Sequence, residues 1–386
     1  MKTKVVVALL LWIFMTTGCI RKTELDELAF FSGVGIDQLE TGKIQLTLQV
    51  ILHRELKVQA QSGNLPSNNI ILEGDSIPDA NSNFSLQSGR RGIWSHARAI
   101  IIGEGLAKSG IGDILDYMQR DYEILGRTYL VVSKGDARTI LDAETTNLET
   151  IQSFNISDMV EQYKSNGKTF PINLNDYLLR AAQDTGINFL PGIKQLEGKS
   201  KIQSGKDMNA LQMSEIAILK DNKLIGWFDE SETTGLLFIH NKLSSTVLNF
   251  EYPDNTEKAY VTIQHSKCKM TPQYENGQLK KVTITVKAAG ILTQGNRLID
   301  PSKPSVLEEV GEKAAAAIEE KIHKAIEKGQ LLNADVFDIS TKVHRTNPKL
   351  WADIKPSWSE VFGALDFDIK AEVTIQRSGL VTKSIQ

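Results

Sequence analysis

The strongest constraint lies at the N-terminus. After Lys2 and Lys4, residues 5–15 (VVVALLLWIFM) form an unbroken apolar run of eleven residues. As a helix this run would rise about 16 Å, roughly half the hydrocarbon thickness of a bilayer, so it is too short to span one. It has the length of a signal-peptide core, and residues 1–18 are expected to be a signal peptide. Thr16, Thr17 and Gly18 supply the small residues that a signal peptidase needs near its cut. Cys19 stands where the greasy run gives way to Arg21, Lys22 and Glu24. The chain beyond Cys19 is therefore expected to fold outside the cytoplasm.

Thr16-Thr17-Gly18-Cys19 resembles the lipobox of bacterial lipoproteins. The resemblance implies that the Cys19 thiol receives a diacylglycerol and that cleavage leaves Cys19 as the new N-terminus. Thr16 departs from the Leu usual at that position, and Thr16 with Gly18 also suits ordinary signal peptidase, which would cut the same bond. Lipidation at Cys19 is the expected outcome and plain secretion the alternative. Two acyl chains anchor stably where one does not.

The chain of 386 residues has two cysteines. With Cys19 assigned to the anchor, Cys268 has no partner, so the protein must be held by its cores and not by disulfides. Its length suffices for that. Removing Lys2 and Lys4 with the signal moves the net charge from −3 to about −5, which argues against nucleic acid and against a polybasic lipid-binding surface. No later apolar run approaches the length of a membrane span.

Periodicity predicts a strand over 29–37, a Thr41-Gly42 turn and a strand over 44–50, a hairpin signal. A surface loop over 61–69, a strand over 70–72 and a helix over 76–87 opening near Ser76 or Pro78 come next. Further strands are expected over 96–102 and 128–133. Between them lies a helix over 106–120, with Ile111, Ile114, Leu115 and Met118 on one side. Asp136 is expected to cap a helix through Ile140 and Leu141, and 144–186 reads as mostly helical, broken at Gly167 and Pro171. Pro191-Gly192 marks a boundary. Beyond it 216–219 and 224–228 read as strands and 233–240 as a helix. Strands over 260–270, 282–292 and 365–375 enclose the clearest helix, 305–328. Ser305 and Glu308 form its capping box, Val306, Val310, Ala314, Ile318, Ile322 and Ile326 its buried stripe, and Gly329 its end. The expected fold class is α+β, with three domains over 19–188, 189–246 and 247–386. Each is a mixed or antiparallel sheet with packed helices.

Motifs that could carry chemistry are incomplete. Gly33-Val34-Gly35 lacks the third glycine of a dinucleotide fingerprint, and Gly103 with Gly105 lacks the Lys-Ser/Thr end of a P-loop; both read as strand or helix-entry glycines. His265 and Cys268 have no companion ligands at useful spacing and face apart on a strand. Ser95-His96 places a nucleophile beside a base, but neighbouring strand residues face apart and no Gly-x-Ser-x-Gly elbow exists. Glu308-Glu309 and Glu319-Glu320 read as solvated helix faces, and Trp94, Trp227, Trp351 and Trp358 as core or interface residues. No catalytic, cofactor-binding or metal-binding residue is assigned, and no enzyme activity is expected.

The chain resembles one family over nearly all of its mature length. The residues are Glu24-Leu25, Gly33-Val34-Gly35-Ile36-Asp37 and Gly74-Asp75-Ser76-Ile77-Pro78-Asp79-Ala80. They continue with the block from Ser95 to Ala107, Gly110 to Asp121, Asn347 to Trp351, Trp358 to Phe362, and Arg377-Ser378-Gly379. In this order they resemble the C subunit of spore germinant receptors, the Ger(x)C-type germination lipoproteins of endospore-forming Firmicutes. Ile20-Arg21 departs from the Trp-Asp that usually follows the family's cysteine. The resemblance implies a non-enzymatic subunit anchored at Cys19 on the outer face of the inner spore membrane. Its partners would be an A subunit and a transporter-like B subunit, which is the expected holder of the nutrient. The competing expectation is a lipid-anchored solute-binding protein. Against it stand three unlike units where such proteins have two similar lobes.

Overall fold

The computed structural model describes residues 24, 27–52, 67–143, 149–201, 207–252, 258–294 and 303–376. Cys19 and the signal segment lie outside the described residues. The chain opens with the expected hairpin, β1 (Leu28–Gln38) and β2 (Ile44–Ile51), which turns through Gly42 at φ 84°. Strand β3 (Ser67–Gly74) pairs antiparallel with β2. Helix α1 (Ile77–Ser88) starts at Ser76, whose hydroxyl accepts the Asp79 N–H at 3.3 Å, and ends at Gly89.

Next come β4 (Arg91–Ile93) and β5 (Ala99–Ile102). The latter is shorter than expected because Ser95 and His96 occupy a turn closed by the Ala97 N–H on the Trp94 carbonyl. The single helix expected over 106–120 is two, α2 (Glu104–Ser109) and α3 (Gly112–Arg120). Gly110 sits between them at φ 126°, a backbone conformation that ends a helix and strains any residue with a side chain. Ile111, Ile114, Leu115 and Met118 are buried as the pattern requires.

Strand β6 (Tyr129–Ser133) leads to α4 (Ala137–Leu141), α5 (Gln152–Glu161), α6 (Tyr163–Asn166) and α7 (Leu174–Ala181). Gly167, at φ 61°, ends α6. Three strands come after, β7 (Ile187–Lys201), β8 (Asp207–Lys220) and β9 (Lys223–Phe228), and then α8 (Glu230–Ile239), opened by a capping box of Asp229 and Glu232.

Strands β10 (Thr246–Glu251), β11 (Lys258–Glu275) and β12 (Gln278–Gln294) precede the long helix α9 (Pro304–Leu331). The chain continues through α10 (Ile339–Thr346), α11 (Pro348–Ile354), α12 (Trp358–Gly363) and β13 (Asp366–Gln376). The capping box expected at Ser305 and Glu308 does not form, because Pro304 already occupies the first helical turn and places Ser305 inside it. Gly329 does not end α9. A Cβ there would stand 2.7 Å from the Phe337 ring, so the glycine serves close packing. The stripe holds: Val310, Ala314, Ile318, Ile322 and Ile326 are buried and Val306 is half-buried.

The α+β expectation is met with two sheets. The larger has the order β3-β2-β1-β5-β6-β7-β8-β9, with β4 beside β1. Strands β1, β5, β6 and β7 run parallel, and the neighbouring pairs on either side are antiparallel. β5 is buried on both faces: Ile100 and Ile102 join the main core under α2 and α3, while Ala99 and Ile101 join a second cluster under α4 and α5. That accounts for its unbroken apolar run. The smaller sheet has the order β10-β11-β12-β13, with α9 packed on it. The expected boundary after residue 188 lies inside β7, which pairs with β6 through Gly192 and Ile193. Strands β7, β8 and β9 therefore extend the first sheet and form no sheet of their own. One continuous core runs through both sheets.

Candidate functional site

The Gly33-x-Gly35-Ile36-Asp37 stretch is a packing and capping device. A Cβ on Gly33 would fall 2.3 Å from Ser153 Cβ, and one on Gly35 would fall 3.2 Å from Leu141, so these glycines let α5 and α4 lie directly on β1. The Asp37 carboxylate then accepts the N–H groups of Ala137 at 2.8 Å and Arg138 at 3.0 Å, capping α4 from a strand 100 residues earlier. Asp136, the expected cap, makes no such bond. Burial raises the Asp37 pKa above its ordinary value, against the opposing pull of the two backbone bonds. Gly103 is bare because a Cβ would fall 2.0 Å from Asp37 Oδ1; it is also the residue that opens α2, as expected of a helix-entry glycine. Asp37→Ala leaves two N–H groups, one buried and one partly buried, without their acceptor. It is expected to cost about 2 kcal/mol, read as a lower urea midpoint with unchanged slope.

Ser95 and His96 do meet, contrary to the strand argument, because both sit in a turn: Ser95 Oγ lies 3.3 Å from His96 Nδ1. The pair is solvent-facing, and the imidazole packs edge-on against Phe30 at 4.7 Å. It borders an open cleft of about 680 Å3 with Arg98, Arg127, Tyr129 and Phe154, at the N-terminal ends of β5 and β6. A general base needs a partner to orient its ring, and no other hydrogen bond to His96 is made among the described residues.

His265 is exposed while Cys268 is buried, which agrees with opposite faces of β11. Asn241 holds the Cys268 peptide at both ends, accepting its N–H at 2.6 Å and donating to its carbonyl at 3.1 Å. Burial pushes the thiol up to about 11, so it is not a nucleophile at neutral pH. Among the described residues no group of three His, Cys, Asp or Glu is placed to hold a metal.

Two of the four helix glutamates do more than face water. Glu309 accepts the Tyr252 hydroxyl at 2.5 Å, and Glu319 accepts the Ala371 N–H at 2.7 Å, closing part of the free edge of β13. Glu320 pairs with Lys324 one turn along. Trp94, Trp351 and Trp358 are buried. Trp227 is half-buried, with Lys134 Nζ 5.0 Å from its ring.

Sequence reasoning missed the junction between the two sheets. Arg180 on α7 forks onto Asp338 at 3.2 and 3.0 Å, with its guanidinium 4.3 Å from the Phe189 ring. His240, at the end of α8, donates Nε2–H to the Val336 carbonyl at 2.8 Å and turns Nδ1 toward Asp338 at 3.7 Å. Phe170 and Phe189 pack against its ring. Desolvation lowers the His240 pKa despite Asp338, helped by the cations Arg180 and Lys242. Nearby, Asp184 accepts the Trp351 indole N–H at 3.4 Å and pairs with Lys355 at 2.7 Å. The only local signal was the Asp335-Val336-Phe337-Asp338 run after α9, in which two apolar residues that become buried are flanked by carboxylates.

Comparison with known proteins gives a consistent picture. A model described as spore germination protein N-terminal domain matches residues 21–195, and one described as spore germination B3/GerAC like, C-terminal, matches 214–379. Spore germination protein KC of Bacillus subtilis is 26% identical over 400 residues, covering 100% of this chain and 98% of the relative. Spore germination protein B3 of the same organism is 26% identical over 383 residues, covering 95% of each. A crystal structure of the GerBC protein has the same fold, with a TM-score of 0.58, 21% identity, and coverage of 89% of this chain and 96% of the other.

Proposed function

The chain belongs to the Ger(x)C family of spore germination proteins, and from that premise we propose that it is the lipid-anchored, non-enzymatic C subunit of a nutrient germinant receptor. The observation that carries this reading is the match to germination proteins from end to end, through both family models. Several groups that could carry chemistry are engaged in structure. Asp37 caps α4, His240 and Asp338 join the two sheets, and the Cys268 thiol is buried. No helix among the described residues is long and apolar enough to cross a membrane. Membrane attachment in this reading comes from a diacylglycerol on Cys19, and the A and B subunits are its partners on the outer face of the inner spore membrane.

Cys19→Ala tests the anchor. The variant is expected to fold, to move from the membrane to the soluble fraction of spore lysates, and to support nutrient-triggered germination poorly. Full germination by spores whose mutant protein is wholly soluble would refute anchoring as a requirement.

A further inference from the structure

We propose that the end of the large sheet at which β1 begins faces the bilayer. There Arg90, Arg98 and Arg127 meet phospholipid phosphates, while Tyr122, Leu86 and Leu52 enter the interfacial layer. This deepens the reading of Cys19 as the anchor and rests on it for the side of the molecule concerned.

Reach fixes which end lies near lipid. Glu24 is five residue steps from Cys19, at most about 18 Å of extended chain. Glu24 is bound to the start of β1 through its carbonyl, which accepts the Glu27 N–H at 3.0 Å. An acylated Cys19 therefore holds this end of β1 close to the membrane surface.

Strand direction brings the arginines to the same end. β4 runs parallel to β1, with Arg91 opposite Leu28, so Arg90 precedes it at the edge. β5 and β6 also run parallel to β1, with Ala99 opposite Gly33 and Tyr129 opposite Ala99. Arg98 and Arg127 fall just before those two strands. β2 is antiparallel and finishes here, Val50 opposite Phe31, so Leu52 lies just beyond.

The surface so assembled is unusual in chemistry. Arg90, Arg98 and Arg127 are exposed and make no ion pair among the described residues, whereas Arg91 beside them is joined to Glu123. Tyr122 is 85% exposed and Leu86 83%, the two highest values among the large apolar side chains described. They share a rim. Tyr122, Glu27 and Ser82 border one cleft, and Leu86 stands one helical turn beyond Ser82. A tyrosine ring with a polar tip, aliphatic side chains and unpaired arginines together match the layered polarity of a phospholipid surface.

Glu24, Glu27, Asp121 and Glu161 lie at the same end, so its net charge is close to zero. Such a surface does not recruit a protein of net charge about −5 to a membrane unaided. It orients one that a tether already holds, where even weak contacts act at high effective concentration. The orientation sets the Asp37 end of β1 about 30 Å farther out.

The test uses the mature chain with Cys19→Ala and an N-terminal His tag, tethered to vesicles of phosphatidylcholine and phosphatidylglycerol through a nickel-chelating lipid. The tether replaces the acyl chains, so the outcome does not depend on acylation, which is read separately from the mass of the native N-terminal peptide. A fluorophore is placed in turn at Tyr122→Cys, Leu86→Cys and Glu40→Cys; burial of Cys268 keeps it from the label. Brominated lipids are expected to quench positions 122 and 86 strongly and position 40, at the far turn, hardly at all. The R90E/R98E/R127E variant is expected to lower quenching at 122 at least about fivefold and to abolish its salt dependence. Equal quenching at 40 and 122, or quenching at 122 indifferent to the three reversals, would overturn the assignment and leave the anchor at Cys19 untouched.

Discussion

Asp335→Ala is expected to lower the unfolding free energy by about 4 kcal/mol. The carboxylate is 4% exposed and accepts four hydrogen bonds. One oxygen takes the N–H of Phe337 at 3.3 Å and of Ile339 at 3.1 Å; the other takes the N–H of Ser340 at 2.7 Å and the Trp358 indole N–H at 3.2 Å. Desolvation raises its pKa and the backbone donors oppose that rise, so the donors are what make the burial tolerable. Removing the side chain strands all four at once, at the start of α10 and under α12. Asp335→Asn keeps one acceptor oxygen and is expected to lose about half as much. Urea unfolding of the two variants checks both values. A loss below about 1 kcal/mol for the alanine variant would show that water replaces the carboxylate.

Asp338→Ala is expected to cost about 3 kcal/mol, because it leaves the Arg180 guanidinium charged and unpaired at a side-chain exposure of 13%. It also alters the pH response. His240 has a folded pKa below its ordinary value of 6.5, so the unfolded chain takes up a proton that the native protein resists. Stability present above about pH 6.5 is then lost as pH falls through the folded pKa. Asp338 favours the charged imidazole, so its removal lowers the folded pKa further and extends the loss to lower pH. Melting temperatures from about pH 7 to about pH 5 should fall more for Asp338→Ala than for the parent chain. Parallel curves would separate His240 from the effect.

Local signals in the sequence led to the right elements wherever the period was strong. The β1–β2 hairpin, the capped start of α1 and the buried stripe of α9 derive from alternation, from Ser76 and from residues repeating every three or four positions. The features that escaped were set by partners distant in the chain. The cap of α4 is Asp37 and not the adjacent Asp136, because the sheet brings the end of β1 to that helix. Pro191-Gly192 has the composition of a linker, yet it sits within β7. Pro191 stands opposite Ile216 of β8, the ladder to β6 begins at Gly192, and a Cβ on Gly192 would stand 2.5 Å from the Trp227 ring. Ser95 and His96 touch because a turn, invisible to strand alternation, precedes β5. Cys19 is the reverse case. Its role as an anchor is an expectation drawn from seven residues of sequence, and Cys19 lies outside the described residues.

The central claim is membership of a membrane-bound receptor. Its most direct test is purification of the tagged protein from detergent-solubilised spore membranes, with mass spectrometry of its partners and of its N-terminal peptide. A diacylated Cys19 recovered with two further receptor subunits is the predicted result. A solitary protein with an unmodified N-terminus would contradict the account and bring the lipid-anchored solute-binding alternative down with it, leaving plain secretion as the reading of Thr16-Thr17-Gly18-Cys19.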